Sequence, residues 1–242
     1  MNLYMLVKKI YIKLSVLRKV RSMNKNLVDI DWNNIEKYSQ EQITYFLYLE
    51  GKSIETLAKV RNLDKATVKK HILDGKIKYG ILAKSSNVEE LFKQIANSGK
   101  QDKIEVINGL ENKIKKDLIS FIKNNYGDMY PKDKQAAVWI LGELKDEEGI
   151  DILLKASVHK FINIRRMAVS ALGKIGSVKG EVILIRALED ENSQVVTYAI
   201  KALKKLKSTK AKEKIIYIKN KTNKDYILKA VDEYLQEIDD PI

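Results

Sequence analysis

The residues best placed to do chemistry fall in one short run, KATVKK at 65–70, where Lys65, Lys69 and Lys70 surround Ala66 and Thr67. Ammonium groups and a hydroxyl at the start of a helix meet phosphate oxygens and base edges. A small Ala permits close approach to a groove or contact with a thymine methyl. The chemistry implied is recognition of a polyanion rather than bond-making. The same pattern also describes a solvated lysine face on a module that binds protein, and both readings stand.

Other chemistries are poorly supplied. The chain has no cysteine, which excludes disulfides, thiol catalysis and Cys-based zinc sites. Its two histidines, His71 and His159, lie far apart with no carboxylate pattern resembling a metal set, so neither a metal nor a cofactor is expected. His71, beside an apolar stripe, reads as a structural imidazole. No Gly-rich phosphate loop, Ser-His-Asp set or paired-carboxylate motif occurs. A second basic run, 201–224, holds ten Lys and one acid, and the following 225–242 holds six acids and one Lys. Lys204, Lys205, Lys207 and Lys210 are therefore candidates for a phosphate-binding stripe. The alternative is that the two segments neutralise each other.

These residues need helices to position them. Ser39 and Ser53 are placed to cap two helices, with Gly51 between them and Glu55 in the first turn of the second. Asn62 falls where a left-handed backbone is required, Leu63 plugs the turn, and Asp64 caps a third helix whose inner face is Val68 and Ile72. With Ala58, Leu63 and Val68 at the small, apolar and β-branched positions, this stretch resembles a helix-turn-helix. TVKKHI resembles the recognition helices of LuxR-type response regulators, and GKSIETLAKVRNLDKATVKKHI is similar to the helix-turn-helix domain appended to some RecQ-like helicases. Asn62 departs from the Gly of many members. The resemblance covers roughly 40–82 and implies DNA contact through the exposed residues of 65–70.

The second half is periodic. AVWILGEL from Ala137, AVSALGKI from Ala168 and AIKALKKL from Ala199 are spaced by 31 residues, and a further step reaches Ala230, with Tyr234 in the Leu141, Leu172, Leu203 column. Leu153, Leu184 and Ile215 keep the same register. Subtracting 31 gives Val106 and Ile122, in a degenerate first hairpin over about 102–125. This pattern resembles short HEAT repeats of the phycobilisome-lyase type over roughly 130–238, which implies stacked helical hairpins and a surface for a protein partner. Gly142 and Gly173 suit close helix approach, and Gly176 a helix C-cap. The family's acidic turn residue and following basic residue survive together only as Asp128 with Lys134. Arg165 follows His159, and Asp190 precedes Val196, so the resemblance does not carry an inter-repeat ladder of ion pairs onto this chain. HEAT-like solenoids include alkylpurine DNA glycosylases, which hold a damaged nucleotide with aromatic residues and a carboxylate. Trp139, with Glu143 and Arg165 or Arg166 nearby, is the set such an activity would use, and a packing Trp is the alternative.

Charge follows the same division. The net +13 is concentrated at 1–85, where 17 basic residues face 8 acidic ones, and Lys outnumbers Arg 39 to 6. Residues 1–22 carry six basic residues and no acid, with Leu3, Leu6, Val7, Ile10, Leu14 and Leu17 at helical spacing. They lack the order of a secretory signal and the apolar length of a spanning helix. A start-site extension, a docking helix and a membrane-surface helix are the three readings, none of which inserts stably into a membrane. The expected architecture is all-α: a basic extension 1–22, a helix-turn-helix bundle 23–84, a linker region 85–101 around one helix, and an α-solenoid of HEAT-like hairpins 102–242. The expected function is a cytoplasmic, non-enzymatic DNA-binding adaptor or regulator with a protein partner. A purely protein-binding scaffold is the alternative, and a glycosylase a third.

Overall fold

The computed structural model describes residues 27–28 and 30–239, so the basic extension lies outside the described residues. Every regular element among those residues is helical. They divide into two compact units at Gly109 and Leu110.

In the first unit a 3-10 turn, Trp32–Lys37, precedes α1 (Gln40–Leu49), α2 (Ile54–Arg61), α3 (Lys65–Lys84), α4 (Val88–Asn97) and α5 (Lys100–Gly109). Local chemistry sets the helix ends. Ser39 and Gln42 form a reciprocal capping box on α1, in which the Ser39 N–H donates to the Gln42 side chain at 2.8 Å. Ser53 caps α2, which ends at Asn62 in the left-handed region (φ 52°, ψ 48°). Asp64 caps α3. Trp32, Ile43, Tyr45, Phe46, Leu57, Val68 and Ile72 form the core of this bundle. Gly75, in the middle of α3, meets the Tyr45 ring so closely that an added Cβ would overlap the ring's Cγ.

The segment expected as a linker is a packed helix. Asn87 caps α4, and Leu91, Phe92 and Ile95 recur at three- and four-residue spacing and are buried. An apolar stripe of that kind packs, and the division between the two compact units lies at 109/110. The expected first hairpin is split by it, with α5 in the first unit and the helix after it in the second.

The second unit comprises α6 (Asn112–Asn125), α7 (Pro131–Leu144), α8 (Ile150–Ala156), α9 (Ile162–Ile175), α10 (Glu181–Ala187), α11 (Ser193–Lys205), α12 (Lys212–Lys221) and α13 (Asp225–Asp239). Ala137, Ala168, Ala199 and Ala230 are buried, as are Leu141, Leu172, Leu203 and Tyr234, so the 31-residue register is the register of the core. It also fixes how closely the longer helices approach. A Cβ on Gly142 would lie 2.8 Å from that of Ala171, and one on Gly173 2.8 Å from that of Ala202. One step further the pair becomes Lys204 and Glu233, joined by a 2.8 Å ion pair. Gly176 ends α9 at φ 69°.

One rung of an inter-repeat ladder is present, contrary to expectation. Arg165 grips Asp190, 25 residues on, through Nε at 2.7 Å and Nη2 at 3.0 Å, with both side chains nearly buried. The acid and the base of this motif pair between units, so each unit needs only one of them.

Candidate nucleic-acid interface

Helix α3 is seated by its inner face and by a chain of polar contacts. Val68, His71 and Ile72 are buried. The Thr44 hydroxyl donates to the Gln40 carbonyl at 2.9 Å, which leaves its lone pairs to accept from His71 Nδ1 at 3.2 Å. Arg61 of α2 donates to the same Gln40 carbonyl at 3.3 Å and to the Gln40 side chain. Three helices are thus tied through Gln40, and His71 is structural.

The outward side of α3 holds the five residues singled out from sequence, but not on equal terms. Lys65, Ala66, Lys69 and Lys70 are exposed, and Thr67 is half-buried. The Thr67 hydroxyl donates to Asp64 Oδ2 at 2.6 Å while its backbone N–H donates to Oδ1 at 2.9 Å, so Thr67 can offer a ligand only an acceptor. These bonds, that from the hydroxyl foremost, hold the Asp64 carboxyl below its usual range. Lys65 pairs with Glu55 of α2 at 3.1 Å. Lys69 and Lys70 form no ion pair among the described residues, and Ala66 lies one turn from Lys70 on the same face. Of the five, Ala66, Lys69 and Lys70 are the exposed residues whose side chains have no hydrogen bond or ion pair among the described residues.

Sequence reasoning missed two neighbours on that face. Leu73 and Ile77 are 58% and 70% exposed, seven and eleven residues after Ala66. The signal was available, because apolar residues at that spacing from an exposed position share its face. Gly75 was missed too, although a glycine inside a helical pattern marks a close approach.

The second basic run is not an open stripe. Lys204 pairs with Glu233 at 2.8 Å, Lys207 with Glu237 at 3.0 Å and Lys210 with Glu181 at 2.8 Å. Lys214 and Lys219 are likewise held by Glu189 and Asp232. Lys205 alone of the four candidates is without an ion pair among the described residues. Lys204, Lys207 and Lys219 are met by acids of 225–242, whereas Lys210 and Lys214 are met by Glu181 and Glu189 of the preceding hairpin. Around Trp139, Glu143 is engaged by Lys174 and Arg165 by Asp190, while Arg166 lies over the Tyr198 ring at 5.9 Å. Neither Glu143 nor Arg165 is left free to work with Trp139. Among the described residues no group of three or more His, Asp or Glu is placed to hold a metal ion, and no described helix is long and apolar enough to cross a membrane.

A tight turn between a capped α2 and an outward-facing α3, followed by stacked hairpins of fixed register, defines a helix-turn-helix joined to a repeat solenoid. The family model for a helix-turn-helix domain matches residues 40–134, and that for HEAT repeats matches 116–204. The chain therefore combines a helix-turn-helix domain with HEAT repeats. No curated protein matches it. The chain is also similar to the crystal structure of an engineered protein, at 19% identity over 84% of this chain and 97% of that one, with a TM-score of 0.49.

Proposed function

We propose that the chain is a non-enzymatic, cytoplasmic adaptor or regulator that binds DNA through α3 and a protein partner through its HEAT repeats. The observation that carries the DNA reading is the set of unpaired cations, Lys69 and Lys70, beside Ala66 on the exposed side of a helix whose opposite side is locked into the core. Phosphate contact by such lysines releases counterions, so binding weakens as salt rises. Fluorescence anisotropy of labelled duplex DNA across a salt series tests this. Replacing both Lys69 and Lys70 with Ala is expected to weaken binding and to lower the slope of log K against log salt by ~0.9 for each phosphate that is no longer neutralised. Unchanged affinity and slope would remove α3 from the interface.

The purely protein-binding reading is favoured by Leu73 and Ile77, since two exposed apolar side chains on that face suit an apolar partner better than phosphate. It predicts no measurable affinity for duplex DNA at low salt.

A further inference from the structure

The repeat leaves one column of aliphatic side chains partly outside the core. Leu153, Leu184 and Ile215, on the shorter helix of three successive hairpins, are fully buried, and the residue after each is Leu154, Ile185 and Ile216. Those three are exposed or half-buried, so the core does not account for their being aliphatic. Val182 of α10 lies one turn before Ile185 on the same outward side and is 75% exposed, and Tyr217 of α12, next to Ile216, is 62% exposed. An outward apolar stripe that recurs from hairpin to hairpin marks a contact surface.

The charges of this face are ordered too. Lys155 and Arg186 occupy the next column, one 31-residue step apart, and Tyr217 follows them with Lys221 Nζ 5.7 Å from its ring centre. Other charged groups of α8, α10 and α12 are engaged within the fold, Asp151 by Lys123, Glu181 by Lys210, Lys212 by Asp239, Lys214 by Glu189 and Lys219 by Asp232. Left on these helices without an ion pair among the described residues are Lys155, Arg186 and Lys221, against Glu213.

We infer that the stripe takes an acidic amphipathic helix of a protein partner, an inference that rests on the reading of the HEAT repeats as a protein-binding surface. Packed helices lie ~8–10 Å apart, and seven residues of helix rise ~10.5 Å. A helix laid across the hairpins therefore meets Leu154, Ile185 and Ile216 with apolar residues one heptad apart. Acids on one flank of that helix meet Lys155, Arg186 and Lys221. An extended segment is a worse occupant, since a helical face offers no strand edge to pair with it. A surface of anionic lipid is worse as well, because Asp151 and Glu213 border the stripe on its other side.

Fluorescence anisotropy on the full chain tests it, with a labelled, helix-forming peptide of about 21 residues that carries Leu once per heptad and Glu along one flank. Saturable binding is expected. Val182→Gln and Leu154→Gln should each weaken it ~tenfold while the circular dichroism spectrum is unchanged. Lys155→Glu combined with Arg186→Glu should weaken it ~tenfold too, and should favour the same peptide with Lys in place of Glu. A Glu peptide that does not bind, or that binds these variants as well as the native chain, would overturn the inference. Tighter binding of the Lys peptide to the native chain, lost in Val182→Gln, would overturn it while leaving the HEAT repeats a protein-binding surface. No binding by either peptide would take this face out of the partner surface altogether. Sedimentation showing a dimer that Val182→Gln dissolves would give the stripe to a second copy instead.

Discussion

Arg165 and Asp190 make a two-pronged ion pair between consecutive hairpins, and the same guanidinium donates to the carbonyl of His159 at 3.0 Å. One side chain therefore ties its own turn to the turn of the next unit. Bidentate geometry and near-complete burial place this pair among those whose breakage leaves an uncompensated charge. Asp190→Ala is expected to cost about 2–4 kcal/mol in urea unfolding, because Glu191 and two carbonyls still hold the stranded Arg165. Replacing both residues with apolar ones of similar volume should cost much less. Equal losses from the single and double variants would show that the pair does not act as a unit.

His159 stands one register step before Asp190 and copies half of its role. Its Nδ1 accepts from the Phe161 N–H at 3.1 Å, as Asp190 Oδ1 accepts from the Asn192 N–H at 2.8 Å. Burial first, then Lys134, Lys160 and Arg165, hold the imidazole below its ordinary value. The unfolded chain is then the first to take a proton as pH falls through ~6.5, so this contribution to stability is complete above that pH and is lost below it. His159→Asp should keep the turn, give Lys134 a carboxylate, and add ~0.5–1 kcal/mol at pH 7.5. Urea unfolding at pH 7.5 and pH 5 checks both parts. A variant that loses as much as the parent between those two values would refute the assignment.

Gly75 is the tightest point of the helix-turn-helix. Tyr45 stacks on Tyr79 with ring centroids 6.0 Å apart, directly over the glycine. Gly75→Ala is expected to destabilise the bundle by ~1–3 kcal/mol despite its better helix propensity. Thermal unfolding by circular dichroism measures this, and a stabilised variant would show that Tyr45 yields freely.

Trp139 separates adaptor from repair enzyme. No release of free alkylated base from alkylated duplex DNA is expected, and Trp139→Ala should affect only stability or partner binding. Robust release that this substitution abolishes in a folded protein would make the chain an enzyme.

The caps, the left-handed Asn62 and the 31-residue columns were legible in the sequence because each is a local or strictly periodic consequence of residue type. The helical nature of 88–97 was legible too, but its role as core was not, since KSSN and NSGKQ on either side have the composition of a connector. Distances across the fold were less accessible. The partners of Lys204, Lys207 and Lys210 come from helices 29 or 30 residues away, and the Arg165–Asp190 rung appears only when the motif is compared between units. At the candidate site, residue types showed which lysines lie at the start of α3. Only the packed structure shows that Lys65 and Thr67 are already engaged by Glu55 and Asp64.

The step from Gly142 and Ala171, through Gly173 and Ala202, to Lys204 and Glu233 makes the solenoid mechanically uneven along its length. Its first two joints are keyed by shape, with backbones brought so near that no solute can loosen them short of unfolding. The last is latched by charge, in a position that ions from solution can reach. Ion pairs such as Lys174 with Glu143 also bridge the earlier joints, so added salt reaches each of them, but only at the last does it act on the very contact that stands in the glycine's place.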